Sequence, residues 1–162
     1  MPPKVVFDCM VYLQAAAREE SPAAACLRLA ENHLLQLFVS GDILAEIQDV
    51  LSRPKLRARF SELTDEVVTA FVERLRKTAE IVESVPRRFI FTRDVDDEPY
   101  LNLSIEVQAN YLVTRDNDLL DLMNLTTVDG TDFQKRFPFL RILDPVAFLR
   151  EIEQRLSEID GQ

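Results

Sequence analysis

Acidic side chains are the residues of this chain whose types and spacing could do chemistry. Residues 93–120, RDVDDEPYLNLSIEVQANYLVTRDNDLL, contain three acidic clusters: Asp94; then Asp96, Asp97 and Glu98; then Asp116 and Asp118. Four acids, separated by tens of residues, are the candidates for one common site: Asp8, Glu46, Asp97 and Asp116. Oxygen-only clusters of this kind suit hard cations such as Mg²⁺ or Mn²⁺.

Alternating strand and helix patterns predict the elements that would position these acids. Strands are predicted over 4–8, 35–40, 111–114 and 140–143, with weaker candidates at 81–85 and 126–128. Helices are predicted over 10–17, 22–32, 42–51, 65–79 and 97–110, from about residue 131, and from Pro145 onward, with N-caps at Ser21, Thr64 and Asp144. Strands separated by helices indicate a parallel sheet with right-handed crossovers, and therefore one α/β domain over 1–162.

The predicted sheet would bring the four acids to one rim. Asp8 and Asp116 each come at the end of a predicted strand, and Asp97 begins a predicted helix. Glu46 lies on the helix that follows the second strand. Because ligands of parallel α/β sheets bind beyond the carboxyl ends of the strands, we expect these carboxylates to face one crevice.

Composition excludes several other classes of protein. No apolar run is long enough to span a bilayer and no secretory signal is predicted, so no membrane association is expected. Cys9 and Cys26 form no Cys-x-x-Cys motif, which favours a reducing cytoplasm. Three glycines in all exclude a P-loop or a dinucleotide fingerprint. His33 is the single histidine and no Gly-x-Ser-x-Gly elbow is present, so a Ser-His-Asp site has little to be built from.

The formal net charge of −9 counts against a generic nucleic-acid binder, whose surface is usually basic. Bound divalent cations would offset only part of this charge. A basic partner or a local basic strip would then be needed to hold a polyanion. The candidate strip is Arg53, Lys55, Arg57 and Arg59, although such a run is more often a solvated helix face.

Four segments, in order, resemble PIN-domain proteins, in the branch described as toxins of type II toxin–antitoxin systems. They are VVFDCMVYLQA, LFVSGDILAEIQDVLSRPKL, DVDDEPYLNLSIEVQANYLVTRDNDLL and LRILDPVAFL, and the third is the most specific. The resemblance implies a three-layer domain with a central parallel sheet flanked by helices. It also implies a metal-dependent endoribonuclease with an RNA substrate, a Mg²⁺ or Mn²⁺ cofactor and a cognate antitoxin as partner.

The same resemblance assigns the site residues. The first acid of the family matches Asp8, its helical glutamate Glu46, its third acid Asp97 and the acid of its Thr-x-Asp motif Asp116. The chain departs from the pattern at Met10, where the family usually has an Asn that helps to hold the loop of the first acid.

Other interpretations remain open from the sequence. Asp97 could merely cap a helix, Asp116 could be a turn residue, and Glu46 could be a solvated helix position.

A catalytically inactive PIN-like scaffold that binds a protein partner is the alternative function. A haloacid dehalogenase-type phosphatase also begins with an Asp after the first strand, but it needs a second Asp where this chain has Met10. The apolar faces of helix 65–79 and of the terminal helix would cover the sheet and leave one face for a homodimer or an antitoxin segment.

Overall fold

Five short parallel strands form the centre of the fold. The computed structural model describes residues 1–161. The strands are β1 (Lys4–Phe7), β2 (Gln36–Ser40), β3 (Glu80–Val82), β4 (Tyr111–Val113) and β5 (Arg141–Leu143), in the spatial order β3-β2-β1-β4-β5. The predicted α/β class with a central parallel sheet flanked by helices is confirmed.

In the described part of the chain, eight helices lie in the connections between the strands, and a ninth follows β5. They are α1 (Cys9–Ala17), α2 (Pro22–Glu31), α3 (Gly41–Leu51), α4 (Pro54–Arg59), α5 (Asp65–Thr78), α6 (Glu98–Val107), α7 (Asn117–Leu120), α8 (Val128–Arg136) and α9 (Pro145–Asp160). Single 3-10 turns at Val95–Asp97 and Asp121–Met123 lead into α6 and follow α7. Right-handed crossovers place α1 to α5 on one face of the sheet and α6 to α8 on the other, which gives three layers.

Three of the predicted helix starts carry the expected side-chain caps. Ser21 Oγ accepts from Ala24 N at 3.1 Å, and Thr64 Oγ1 accepts from Val67 N at 3.2 Å. Asp144 Oδ1 accepts from Ala147 N at 2.8 Å. Each cap satisfies a backbone N–H that has no partner within its own helix, so the local sequence fixes these boundaries.

Two other local predictions are wrong. The weak strand at 126–128 does not form, because Thr127 accepts from Gly130 N at 3.0 Å and starts α8 three residues earlier than predicted. Helix α6 does not extend to Asn110. It ends at Val107, because Gln108 adopts a left-handed conformation with φ of 53°.

The strand order reverses between the central strand β1 and its neighbour β4. The chain builds β1, β2 and β3 outward on one side and then returns to add β4 on the other side of β1. Val5, Val6, Leu112 and Val113 of these strands are fully buried, as expected for strands covered on both faces. Such a reversal opens a crevice at the carboxyl ends of the two strands, and the residues that follow them are Asp8 and Thr114.

Within residues 1–161, no helix combines the length and the apolar character that a membrane crossing requires.

Candidate active site

Asp8 is a buried carboxylate at the end of β1. It is 3% exposed, its Oδ1 accepts from Val11 N at 3.0 Å, and its Oδ2 accepts from the hydroxyl of Thr114. Burial raises the pKa of Asp8 to about 6, and the charge of Asp116 adds to the rise, while the hydrogen bonds from Thr114 and Val11 oppose it. Two donors thus hold this carboxylate at the edge of the crevice.

Thr114 joins the ends of β1 and β4. It is fully buried, donates its hydroxyl proton to Asp8, and accepts from Asp116 N at 3.0 Å. One hydroxyl therefore fixes both the first acid and the backbone of the last. Thr114 was not among the predicted site residues, although its place at the end of a predicted strand and two residues before Asp116 was visible in the sequence.

Asp97 is the most perturbed acid of the crevice. The residue is 9% exposed, and its Oδ2 is buried without a hydrogen-bond partner. Burial raises the pKa of Asp97 to about 8, and the neighbouring Asp116 carboxylate raises it further, as do the charges of Asp94 and Asp8. The side chain makes no cap bond to α6, so the interpretation of Asp97 as a helix cap fails.

Four carboxylates converge at this point. One oxygen from each of Asp94, Asp97, Asp116 and Asp118 lies within 4.8 Å of the other three. We call these four residues the acidic cluster. Asp94 and Asp97 reach it from the turn before α6, and the other two come from the loop after β4 and the start of α7. The fold therefore unites two acidic segments of the 93–120 stretch at the crevice.

Asp94 and Asp118 were not among the four predicted site residues. Residues three apart in a 3-10 turn eclipse each other, so the spacing of Asp94 and Asp97 was the available signal. Asp118 is half-buried, and the guanidinium of Arg93 pairs with it through Nε at 2.6 Å. The charge of Asp118 is thus partly offset by Arg93, whereas one Asp97 oxygen is buried without a hydrogen-bond partner.

Glu46 lies apart from the acidic cluster. It is half-buried on α3, near the Cys9 thiol and the Tyr100 hydroxyl. Burial raises the pKa of Cys9 to about 12, and the charges of Glu46 and Asp8 contribute to that rise. Glu46 and Asp8 therefore share the Cys9 thiol as a neighbour at the start of α1, while Asp97 and Asp116 meet in the acidic cluster.

Two tyrosine hydroxyls lie beside these acids. The Tyr12 and Tyr100 hydroxyls are buried without hydrogen-bond partners within residues 1–161. Burial raises the pKa of both phenols, and the nearby charge of Asp8 raises them further. Both groups therefore stay protonated, and each supplies a donor close to the first acid.

The chemistry of the acidic cluster fits a divalent cation. Its donors are carboxylate oxygens, which Mg²⁺ and Mn²⁺ prefer, and the distances suit ligands of one ion. Like charges this close repel each other in the absence of a cation, as the raised pKa of Asp97 reflects. The buried Asp97 oxygen without a hydrogen-bond partner destabilises the fold when no cation is bound, and a bound cation would give it a partner.

The remaining sequence features take ordinary roles. Met10 is 50% exposed, and Asp8 is held by Thr114 and Val11 without any contribution from that side chain. In the basic strip, Arg53 pairs with Asp49, and Arg57 pairs with Asp65. These arginines are thus partly neutralised on their own surface, as the solvated-face interpretation expects.

Comparison with known proteins identifies the family. The family model described as PIN domain matches residues 4–118, which include all four predicted acids and the acidic cluster. The chain belongs to the PIN domain family. No significant match to a curated protein was found.

Among solved structures, the chain is similar to one in the crystal structure of VapBC2 from Rickettsia felis bound to a DNA fragment from their promoter. The two chains are 17% identical with a TM-score of 0.54, and the alignment covers 87% of this chain and 98% of the other. At this identity the similarity establishes a shared fold.

Proposed function

We propose that this PIN-domain protein is a divalent-metal-dependent endoribonuclease that hydrolyses RNA phosphodiester bonds. The observation that carries the proposal is the acidic cluster, with the buried, unpartnered Asp97 oxygen, in a chain of a family whose members are generally nucleases. A bound Mg²⁺ or Mn²⁺ would lower the pKa of a water molecule and offset the charge that grows on the scissile phosphate.

The acids take different roles in this proposal. Asp97 and Asp116 would hold the cation directly, because their carboxylates meet in the cluster and Asp97 has an oxygen to offer. Asp8 would complete the site from the end of β1, where the hydrogen bond from the Thr114 hydroxyl holds its carboxylate in place. Glu46 would act through water, next to the Tyr100 hydroxyl.

A cleavage assay on a panel of single-stranded and structured RNAs tests this function. We expect cleavage with Mg²⁺ or Mn²⁺, none with EDTA, and at least a hundredfold loss in Asp116→Asn, on the order of the effect of removing other transition-state electrostatic groups. The variant, purified in parallel, controls for contaminating nucleases. Metal-independent cleavage, or equal cleavage by the variant, contradicts the proposal. Stabilisation of the protein by Mg²⁺ or Mn²⁺ without cleavage of any RNA favours the inactive scaffold.

We also propose that the protein works in the cytoplasm as the toxin of a toxin–antitoxin pair, with a cognate antitoxin as protein partner. The sequence resemblance supports this, and so does the occurrence of a similar chain in a VapBC2 structure bound to promoter DNA. Both cysteines are free thiols, as a reducing compartment favours.

Expression in bacterial cells tests the toxin role. We expect wild-type protein to arrest growth and Asp116→Asn to be tolerated. Co-expression of a short reading frame adjacent to the gene, encoding a basic DNA-binding segment, should restore growth and yield a complex on copurification. Growth arrest by the Asn variant at equal expression would show that toxicity does not come from the acidic cluster.

A further inference from the structure

A cleft of about 410 Å³ opens at the carboxyl ends of β4 and β5 and is lined in part by the loop that carries Asp116 into the acidic cluster. Its lining includes Gln14 of α1, Arg115 and Asn117 on either side of Asp116, and Asp144 and Pro145 at the start of α9. Because Arg115 and Asn117 are the sequence neighbours of Asp116, one loop contributes both to the cleft and to the acidic cluster. A strand of RNA with its scissile phosphate at the cluster would pass its next nucleotide over this cleft.

Arg115 supplies an uncompensated positive charge to the cleft. The side chain is exposed and lies within 4.0 Å of no carboxylate oxygen in the described part of the chain. Arg93, the other arginine near the cluster, is bound to Asp118 at 2.6 Å and to Asp121 at 2.8 Å. Arg93 therefore balances carboxylates, whereas the guanidinium of Arg115 remains available for an anion.

The other walls of the cleft suit the rest of a nucleotide. Leu120, Pro145 and Val146 give it an apolar side, and Gln14 and Asn117 add amides that can donate and accept hydrogen bonds. The carboxylate of Asp144, already an acceptor in the cap of α9, would repel a second phosphate and favour a ribose hydroxyl or a base amine.

We propose that this cleft is a nucleotide-binding subsite. Arg115 binds the phosphate next to the scissile one, and the apolar wall holds the attached nucleoside. A planar guanidinium binds phosphate through two parallel hydrogen bonds. The volume lies in the range of about 300–1,000 Å³ that small-ligand pockets occupy.

This inference rests on the proposed function, and its test must separate the two. The probe is uridine 3′,5′-bisphosphate, which contains phosphate monoesters and no internucleotide bond. Its binding to the full-length protein in millimolar Mg²⁺, followed by NMR titration, does not depend on cleavage. Cleavage of a single-stranded RNA is measured separately, as kcat and KM.

The variants are Arg115→Ala, Arg115→Lys and, as a matched control, Arg76→Ala. Arg76 is an exposed arginine in the last turn of α5 that forms no ion pair within residues 1–161. Because α5 leads directly into β3, its last turn lies near the amino-terminal ends of the strands, and the cleft lies at their carboxyl ends. The control removes the same charge far from the cleft.

Loss of the Arg115 guanidinium should weaken binding of the bisphosphate about tenfold or more, as expected for hydrogen bonds to a charged group. The Lys variant should lie in between, and Arg76→Ala should bind like wild type. The KM for RNA should rise in Arg115→Ala while kcat changes less.

In the binding experiment, either of two results overturns the subsite: no binding of the bisphosphate to wild type at millimolar concentration, or equal binding by Arg115→Ala and Arg76→Ala. Binding that depends on Arg115 in a protein that cleaves no RNA upholds the subsite and refutes the proposed function. RNA cleavage with a KM that Arg115→Ala leaves unchanged does the reverse.

Discussion

Replacing Asp97 by Asn should stabilise the metal-free protein. The substitution keeps the shape of the side chain, removes a charge that Asp116, Asp94 and Asp8 repel, and puts an amide donor beside the Asp116 carboxylate. The pKa of Asp97 is raised to about 8 in the folded chain. A raised carboxyl pKa means that the folded state holds a proton that the unfolded state releases, so stability falls as pH rises from about 4 to about 8.

The magnitude follows from this pH window. A pH of 7.5 lies roughly 3.5 units above the pKa of the carboxyl in the unfolded chain. At about 1.4 kcal/mol per unit, the cost of the raised pKa has a ceiling of about 5 kcal/mol. Part of this energy is shared with Asp116, so we expect a gain of about 2 to 5 kcal/mol in the free energy of unfolding. For a chain of this size, that gain raises the melting temperature by about 5 °C or more.

Thermal melts of wild type and Asp97→Asn at pH 7.5, in EDTA and in millimolar Mg²⁺, measure this effect. The cation should stabilise wild type by about 2.7 kcal/mol at a hundredfold excess over its Kd, and the variant should lose most of that gain. Asp144→Asn is the matched control, because Asn caps a helix about as well as Asp and this site lies at the α9 cap. It should melt like wild type in both conditions.

The result that would refute this reasoning is specific. If Asp97→Asn melts no higher than wild type in EDTA and keeps the full Mg²⁺ shift, then Asp97 neither suffers the repulsion nor binds the ion. A gain in stability with an intact Mg²⁺ shift would keep the electrostatic argument and remove Asp97 from the metal site.

Three further predictions concern the hydroxyl beside the first acid, pH dependence and assembly. Thr114→Val should destabilise the protein by about 1 to 3 kcal/mol in urea denaturation, because Asp8 loses a buried donor, and Thr114→Ser should restore most of it. The stability of wild type relative to Asp8→Asn, both in EDTA, should fall by about 2 kcal/mol between pH 4 and pH 6, because a carboxyl group with a raised pKa stabilises the folded state below that pKa and loses the effect as pH rises; a constant difference contradicts this. Light scattering at micromolar protein should give a homodimer through the apolar groove that includes Leu34, Leu156 and Ile159, whereas a mass near 18.6 kDa excludes one.

Local chemistry made much of the fold predictable. The side chains of Ser21, Thr64 and Asp144 each accept from the backbone N–H three residues later. Because these bonds are local, the sequence alone sets those helix starts. The error at the end of α6 arose where a tertiary contact decides. Asn110 Oδ1 accepts from Lys4 N at 2.9 Å, 106 residues away in the chain. Asn110 therefore links the beginnings of β1 and β4 and does not end α6.

The same division holds for the candidate site. The sequence determined that acids follow β1 and β4, because a strand end and its next residue are local features. Only the tertiary structure decided that Asp94 and Asp118 enter the cluster, that Glu46 stays outside it, and that one Asp97 oxygen has no partner. These outcomes depend on distances between segments far apart in the chain, and burial, which raises the pKa of Asp97, exists only once those segments have packed together.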